Sequence, residues 1–550
     1  MKSLDAISGF NFLIDLLILN IDMIKVLTTD EMRKCDHETI SQGRVSGETL
    51  MANAGHGVSR VGEILLGKVD GRRIAVFCGR GNNGGDGLGA ALDFARKGAN
   101  VDVYLLESEE EIKGDSLTFF KKLKRYASKS DGVTILDFSK SKKMVKFGEY
   151  DLLVDAIFGT GLGRPPEGEA KEAIEIMNLS KVPVLAVDVP SGIDATTGKL
   201  LGVAPKAMAT ATMAFPKRGL LMNEGRERSG HIYVVDIGMP NDLHALSVVN
   251  TAVTTCEDVA KIIPYRPMET HKSAVGKIFG FVGSAGLTGA GVMAGLSAMR
   301  SGAGAVVLGV PESLNEIFEI KLTEVMTLPL PETEMHTLSA GAFQKSFQYI
   351  NWADVIIVGP GLSRHPETAK LVYELLENYD GTIVVDADAL NAIADNPGVL
   401  KASKAELILT PHFGEFSRIS RISTEDIPYN RIEYARKFAV ENKVTLVLKG
   451  SPTVVATKEG AVLLNIHGNP GMATAGMGDV LTGIIAALAA QKVKPCKAAI
   501  AGVYLHSVAG DLARNDKGIH SLIATDVIEQ IPNAFRKIIE MEINEFEKIN

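Results

Sequence analysis

RIAVFCGRGNNGGDG (73–87) is the stretch from which the fold of the first half follows. A short apolar, β-branched run stops at a cluster of glycines and polar residues, and an apolar helical pattern opens at about Leu88. Strand, tight turn and helix in that order make one βα unit. Glycines lack a Cβ, so backbone N–H groups can approach a phosphate, and the N-terminus of the next helix favours the same anion. The same glycines also serve turns that bind nothing.

The pattern recurs along the chain. VDVYLL (101–106), YDLLVDAIFG (150–159), VPVLAVDVP (182–190) and HIYVVDIG (231–238) continue the first series. KIFGFVG (277–283), GAVVLGVP (304–311), ADVIIVGPG (353–361), GTIVVDAD (381–388), ELILTPH (406–412) and VTLVLKG (444–450) form a second. Strands alternating with helices predict parallel sheets, so the chain is α/β twice over. Its 550 residues exceed one compact core. The stretch 239–267 lacks a strong period, which predicts a boundary between a first domain at 23–248 and a second at 249–550, while the ordinary start at Met23, MIKVLTTDEMRKCD, predicts that 1–22 is an upstream extension.

Bulk properties exclude several classes. A 46% hydrophobic and 23% charged chain with one Trp is globular rather than disordered. A net charge of −8 argues against a nucleic-acid partner. Cys35, Cys78, Cys256 and Cys496 form no CxxC pair, so neither a disulfide framework nor a zinc site is expected, and a cytoplasmic setting is. The apolar run of MKSLDAISGFNFLIDLLILNID (1–22) is broken by Asp15 and is too short for a membrane span.

Ligands of open parallel sheets sit beyond the carboxyl ends of the strands. GRGNNGGDG (79–87), GTGLGRP (159–165) and the Asp188, Ser191 and Asp194 of VDVPSGID (187–194) occupy three such ends. Asn83, Asp155 and Ser191 offer hard oxygen donors suited to an alkali or alkaline-earth cation, although caps and turns use the same residues. Asp188 follows an apolar strand and suits proton transfer, or the bracing of its turn. Together with FPKRG (215–219), GNNGGDG, DAIFGTGLGR and VDVPSGID resemble the NAD(P)H-hydrate epimerase family over roughly 23–245. The resemblance implies a Rossmann-like three-layer αβα domain that interconverts R and S hydrates at C6 of the nicotinamide. By motif, Asn82, Asn83, Gly84, Gly85, Asp86, Gly159, Thr160, Gly161, Leu162, Gly163, Arg164, Pro165 and Asp188 contact the dinucleotide. Asp188 is the catalytic group, and Asn83, Asp155 and Ser191 bind K+.

In the second half, NPGMATAGMGDVLTGIIAALAA (469–490) sets Asp479 at the start of a long apolar helix. Helix N–H groups there can hold a transferring phosphoryl while a carboxylate takes a proton, or the carboxylate simply caps the helix. GSAGLTGAG (283–291), GPGLS (359–363), DADALN (386–391), LTPHFGE (409–415), KGSPTVV (449–455) and TAGMGDVLTG (474–483) together resemble the nucleotide-dependent NAD(P)H-hydrate dehydratases, a branch of the ribokinase-like fold. The resemblance covers about 250–535. By motif, Ala290, Gly361, His412 and Asp479 face the hydrate, with Asp479 catalytic. Lys449, Gly450, Ser451, Pro452, Thr453 and Gly478 hold the nucleotide, expected as ADP with Mg2+. The implied whole is a homo-oligomeric repair enzyme for NADHX and NADPHX. The alternative is a small-molecule kinase fused to a non-catalytic dinucleotide-binding module.

Overall fold

The computed structural model describes residues 2–3, 23–142, 146–272 and 275–547. Apart from residues 2–3, the expected extension lies outside the described residues. Ile24–Val249 form one compact unit and Asn250–Asn550 another.

The first unit contains β1 (Arg73–Cys78), β2 (Asn100–Leu105), β3 (Val133–Asp137), β4 (Leu152–Ala156), β5 (Val184–Val187), β6 (Ala209–Met213) and β7 (His231–Val235). They are parallel to their neighbours in the order β3-β2-β1-β4-β5-β6-β7. This is the doubly wound order, and it reverses between β1 and β4, where such sheets open a crevice for ligands. Alternate residues of β1 point to opposite faces. Ile74, Val76 and Cys78 join the apolar core beneath α2 (Gly47–Leu66) and α3 (Asn82–Arg96), whereas Ala75 and Phe77 join Tyr104 and Phe138 on the other side. The αβα layering follows from that alternation. A further helix, α1 (Thr29–Ser41), precedes α2 and is closed by a Thr28–Glu31 capping box.

One expectation needs correcting. The helix after β1 starts at Asn82, not near Leu88, so most of the glycine cluster is helical. Its glycines are there for close approach. A Cβ on Gly84 would lie 1.7 Å from the Gly79 carbonyl oxygen, one on Gly87 2.4 Å from the Ala156 Cβ, and one on Gly55 of α2 2.6 Å from the Gly89 carbonyl carbon. The N-cap, Gly81, offers no side-chain acceptor, so the first N–H groups of α3 remain open to an anion.

The second unit contains β8 (Thr251–Val253), β9 (Lys277–Phe281), β10 (Ala305–Pro311), β11 (Met326–Leu330), β12 (Val355–Val358), β13 (Thr382–Val385), β14 (Glu406–Leu409), β15 (Thr445–Leu448), β16 (Thr453–Ala456) and β17 (Val462–Asn465). Their order is β11-β10-β9-β12-β13-β14-β15-β16-β17-β8, parallel except for the β15–β16 and β16–β17 hairpin pairings. The ends of β9, β12, β13, β14 and β15 are therefore neighbours along one edge. The apolar helix α6 (Met477–Ala490) is buried over most of its length. It presses on α4 (Thr288–Arg300) so closely that a Cβ on Gly483 would meet the Ala294 carbonyl at 2.2 Å.

All four cysteines are free. Among the described residues no helix is long and apolar enough to cross a membrane.

The close approach at Gly84 is testable. Gly84→Ala forces Cβ into a backbone oxygen and is expected to cost at least about 1–3 kcal/mol, the range for overpacking. Gly161→Ala, where a Cβ meets open space, is expected to cost little. Calorimetry of the whole chain measures both, and equal unfolding temperatures for the two variants would refute the packing argument.

Candidate active sites

The open crevice of the first unit is a cavity of about 800 Å³. It gathers the ends of β1, β4 and β5: Asn82, Asn83 and Asp86 from the first, Gly159, Thr160, Gly161, Leu162, Arg164 and Pro165 from the second, and Asp188 from the third. Gly84, Gly85 and Gly163, also expected at the ligand, do not line it. Gly84 packs on Gly79, and Gly85 faces Met51 and Ser116.

Asp188 is held at a positive φ of 64°, a costly conformation for a residue with a side chain. Its Oδ1 accepts from the Lys217 ammonium at 2.5 Å, the Met213 amide at 3.2 Å and the Thr212 hydroxyl at 3.2 Å. Lys217 is 1% exposed and also donates to the Met213 carbonyl. It is the K of the FPKRG motif, and sequence reasoning gave it no role because nothing in that stretch shows which acid it meets.

Two more acids share this ammonium. Burial pushes Asp36 of α1 up to about 6, with Lys217 pulling it back and Asp188 adding to the rise. Burial, then Asp188, raises Asp86 far above the usual carboxylate range. One lysine thus serves three carboxyls.

Asp155, fully buried, accepts the Ser191 amide at 2.8 Å and the Ser191 hydroxyl at 2.6 Å. The Ser191 oxygen also meets the Phe158 amide at 2.8 Å and its carbonyl at 3.2 Å. Asn83 lies beside Gly159, with its buried Nδ2 unpaired. Burial raises Asp155 to about 6, and the groups that lower it again are hydrogen-bond donors of Ser191 and Ile157, with no lysine or arginine among them. A buried carboxylate amid oxygen donors and without a basic partner fits a monovalent cation.

In the second unit, residues that follow three adjacent strands, β13, β14 and β15, meet at Lys449. Its ammonium lies 2.8 Å from Asp386 Oδ1 and 3.8 Å from Glu415 Oε2, and Asp386 Oδ2 accepts from Thr482 at 3.0 Å. A Cβ on Gly478 would sit 3.1 Å from the Lys449 Nζ. Gly361, at φ 66°, adjoins Ala290, since a Cβ there would lie 3.2 Å from the Ala290 Cβ. Asp479 is in the first turn of α6, whose N-cap is Gly476 without a side-chain cap. Burial, then the neighbouring Asp386, raises Asp479 to about 7, against the pull of Lys449.

His412 has a structural duty. Its Nδ1 accepts from the Gly414 and Glu415 amides, capping α5 (Phe413–Ser420). Burial and then Lys449 lower its pKa, which suits the neutral ring that a cap requires. Arg431 donates to the carbonyls of Ser451 and Pro452 and lies 5.1 Å from the centre of the Phe413 ring, tying the Gly450–Thr453 turn to the His412 loop. Asp36, Lys217, Asp386 and Arg431 are the contributors that sequence reasoning missed. Asp386 and Lys217 lie in the motifs DADALN and FPKRG, whereas Asp36 and Arg431 carried no signal.

Fold and sites define a pair of α/β nucleotide-site enzymes in one chain. Residues 47–219 match the family model for the YjeF-related protein N-terminus, and 281–533 match that for NAD(P)H-hydrate dehydratase. The chain is 41% identical over 519 residues to a bifunctional NAD(P)H-hydrate repair enzyme of Moorella thermoacetica, covering 94% of this chain and 97% of that one. It is 32% identical to that of Escherichia coli, covering 94% of each. An ADP/ATP-dependent NAD(P)H-hydrate dehydratase of Bacillus subtilis is similar at 29% identity, with a TM-score of 0.44, over 52% of this chain and 98% of that one. The chain belongs to the bifunctional NAD(P)H-hydrate repair enzyme family.

The shared ammonium makes a pH prediction. A carboxyl whose folded pKa is raised stabilises the fold below its unfolded value, near 4, and loses that contribution as pH rises through its folded value, here about 6 for Asp36. Asp36→Asn should therefore leave the first unit unchanged near pH 4 and stabilise it at pH 7 by about 1–3 kcal/mol. Urea unfolding at the two pH values measures this, and destabilisation at pH 7 would refute it.

Proposed function

We propose that this chain repairs hydrated NADH and NADPH, exchanging the R and S epimers in the first unit and dehydrating the S epimer in the second at the expense of ADP. The observation that carries the first half is the Asp188–Lys217 pair set in the cavity at the switch point of a doubly wound sheet. Inversion at C6 breaks and remakes the bond to the hydroxyl, which needs a group that takes a proton and one that gives it back. Asp188, held by Lys217, takes it, and Asp86, whose buried carboxyl is driven well above the usual carboxylate range, supplies it. Asn83, Asp155 and Ser191 would hold K+, which supplies a fixed positive charge beside the buried Asp155.

In the second unit Asp479 takes the proton of the C6 hydroxyl as that oxygen accepts the terminal phosphoryl of ADP, giving AMP. Phosphate then leaves C6 and a proton leaves C5, restoring the ring double bond and yielding phosphate and the reduced dinucleotide. The uncapped N–H groups of α6 face the transferring phosphoryl. Among the described residues no three His, Cys, Asp or Glu side chains form a metal cage. Asp386 and Asp479 would be the carboxylates to help hold a nucleotide-bound Mg2+, which would offset the charge of the phosphates. The four free cysteines accord with a reducing cytoplasm.

Single substitutions separate the two reactions. Asp188→Asn is expected to slow epimer exchange by about a hundredfold or more while ADP-dependent removal of the S hydrate continues. Asp479→Asn is expected to do the reverse and still bind ADP. Resolving both epimers by chromatography over time tests this, and loss of both reactions in either variant would overturn it.

A further inference from the structure

Glu107 follows β2, the strand beside β1 on the side away from the switch point. In doubly wound dinucleotide sites an acidic residue about twenty positions beyond the glycine-rich turn meets the ribose of the adenosine half. Glu107 stands at that distance from Gly87. It lines the same cavity as Asp188 and Lys217, and its Oε2 is buried with no hydrogen-bond partner. A buried acceptor without a donor is a rare arrangement that a ligand hydroxyl completes.

The surroundings decide which ligand. Burial pushes the Glu107 carboxyl above its ordinary range; Arg80 opposes the rise, whereas Glu111 and Glu169 add to it. The Arg80 guanidinium is itself 3.6 Å from Glu111. A ribose with free hydroxyls donates to Glu107. A 2′-phosphate at that point would bring about two negative charges against three carboxylates, with one arginine already engaged.

We propose that Glu107 binds the adenosine ribose of the dinucleotide in the first unit and selects the hydrate of NADH over that of NADPH. The inference rests on reading this cavity as the epimerase site. Glu107 is a specificity residue remote from the reacting carbon, so it acts on substrate affinity and not on the chemical step.

The test is steady-state epimer exchange by the full chain with NADHX and NADPHX, for the wild type, Glu107→Gln and Glu107→Asp. The wild type is expected to show a KM for NADHX lower than that for NADPHX by about tenfold or more. Glu107→Gln should raise the first and lower the second until they converge, with kcat for NADHX unchanged, which also reports an intact site. Glu107→Asp, retaining the charge, should retain the preference. Equal KM values in the wild type, or an unaltered ratio in Glu107→Gln, would overturn the ribose assignment and leave the epimerase reading standing. Exchange of neither hydrate by the wild type would overturn both.

Discussion

A carboxylate buried at the end of a parallel strand must find a positive charge or keep its proton, and both units of this protein are arranged around that demand. Removing an ionised carboxyl from water is expensive unless it is paired. Asp188 has Lys217, and Asp386 has Lys449. Asp155 has only hydrogen-bond donors, and its buried carboxyl is raised to about 6.

The pairing is deliberately incomplete. Lys217 faces Asp36, Asp86 and Asp188, and Lys449 faces Asp386, Glu415 and Asp479. Burial, and then a neighbouring carboxylate, drives Asp86 and Asp479 upward, and the ammonium pulls each back. Asp479 is thereby set near neutrality, about 7. Bare helix N-termini add to this, because Gly81 and Gly476 begin α3 and α6 without side-chain caps. Close glycine contacts bring α3 onto its sheet and α6 onto α4, linking core packing to the position of the chemistry.

Apolar runs ending in glycine and polar clusters made most strands of both series legible, along with the strand ends that carry Asn83, Asp188 and Gly361 and the helix start that carries Asp479. The weaker strands were not legible: ATATM in β6 shows little apolar contrast, VTILD in β3 is only partly buried, β8 is three residues long, and MTLPL in β11 is interrupted by a proline. The start of α3 was misplaced because glycine is a poor helix former, and only the tertiary contacts of Gly84 and Gly87 explain its presence inside the helix. Asp36 and Lys217 escaped because their meeting depends on which elements the fold brings together, across 181 positions of sequence. His412 was read as a ligand contact, yet its clearest task is to cap α5, a local role that its sequence neighbours do not distinguish.

The central claim is that a single ammonium, buried at Lys217 and partly buried at Lys449, tunes the acids in each sheet. The pH dependence of kcat for ADP-dependent dehydration, at saturating nucleotide, measures this most directly in Lys449→Met beside the wild type. Asp479 acts as a base, so the wild-type rate should rise with pH through about 7. Lys449 lowers that value, so its loss should move the rise to higher pH, while the epimer-exchange profile of the same sample stays in place. A rise that does not move, or one that moves together with the exchange profile, would contradict the account.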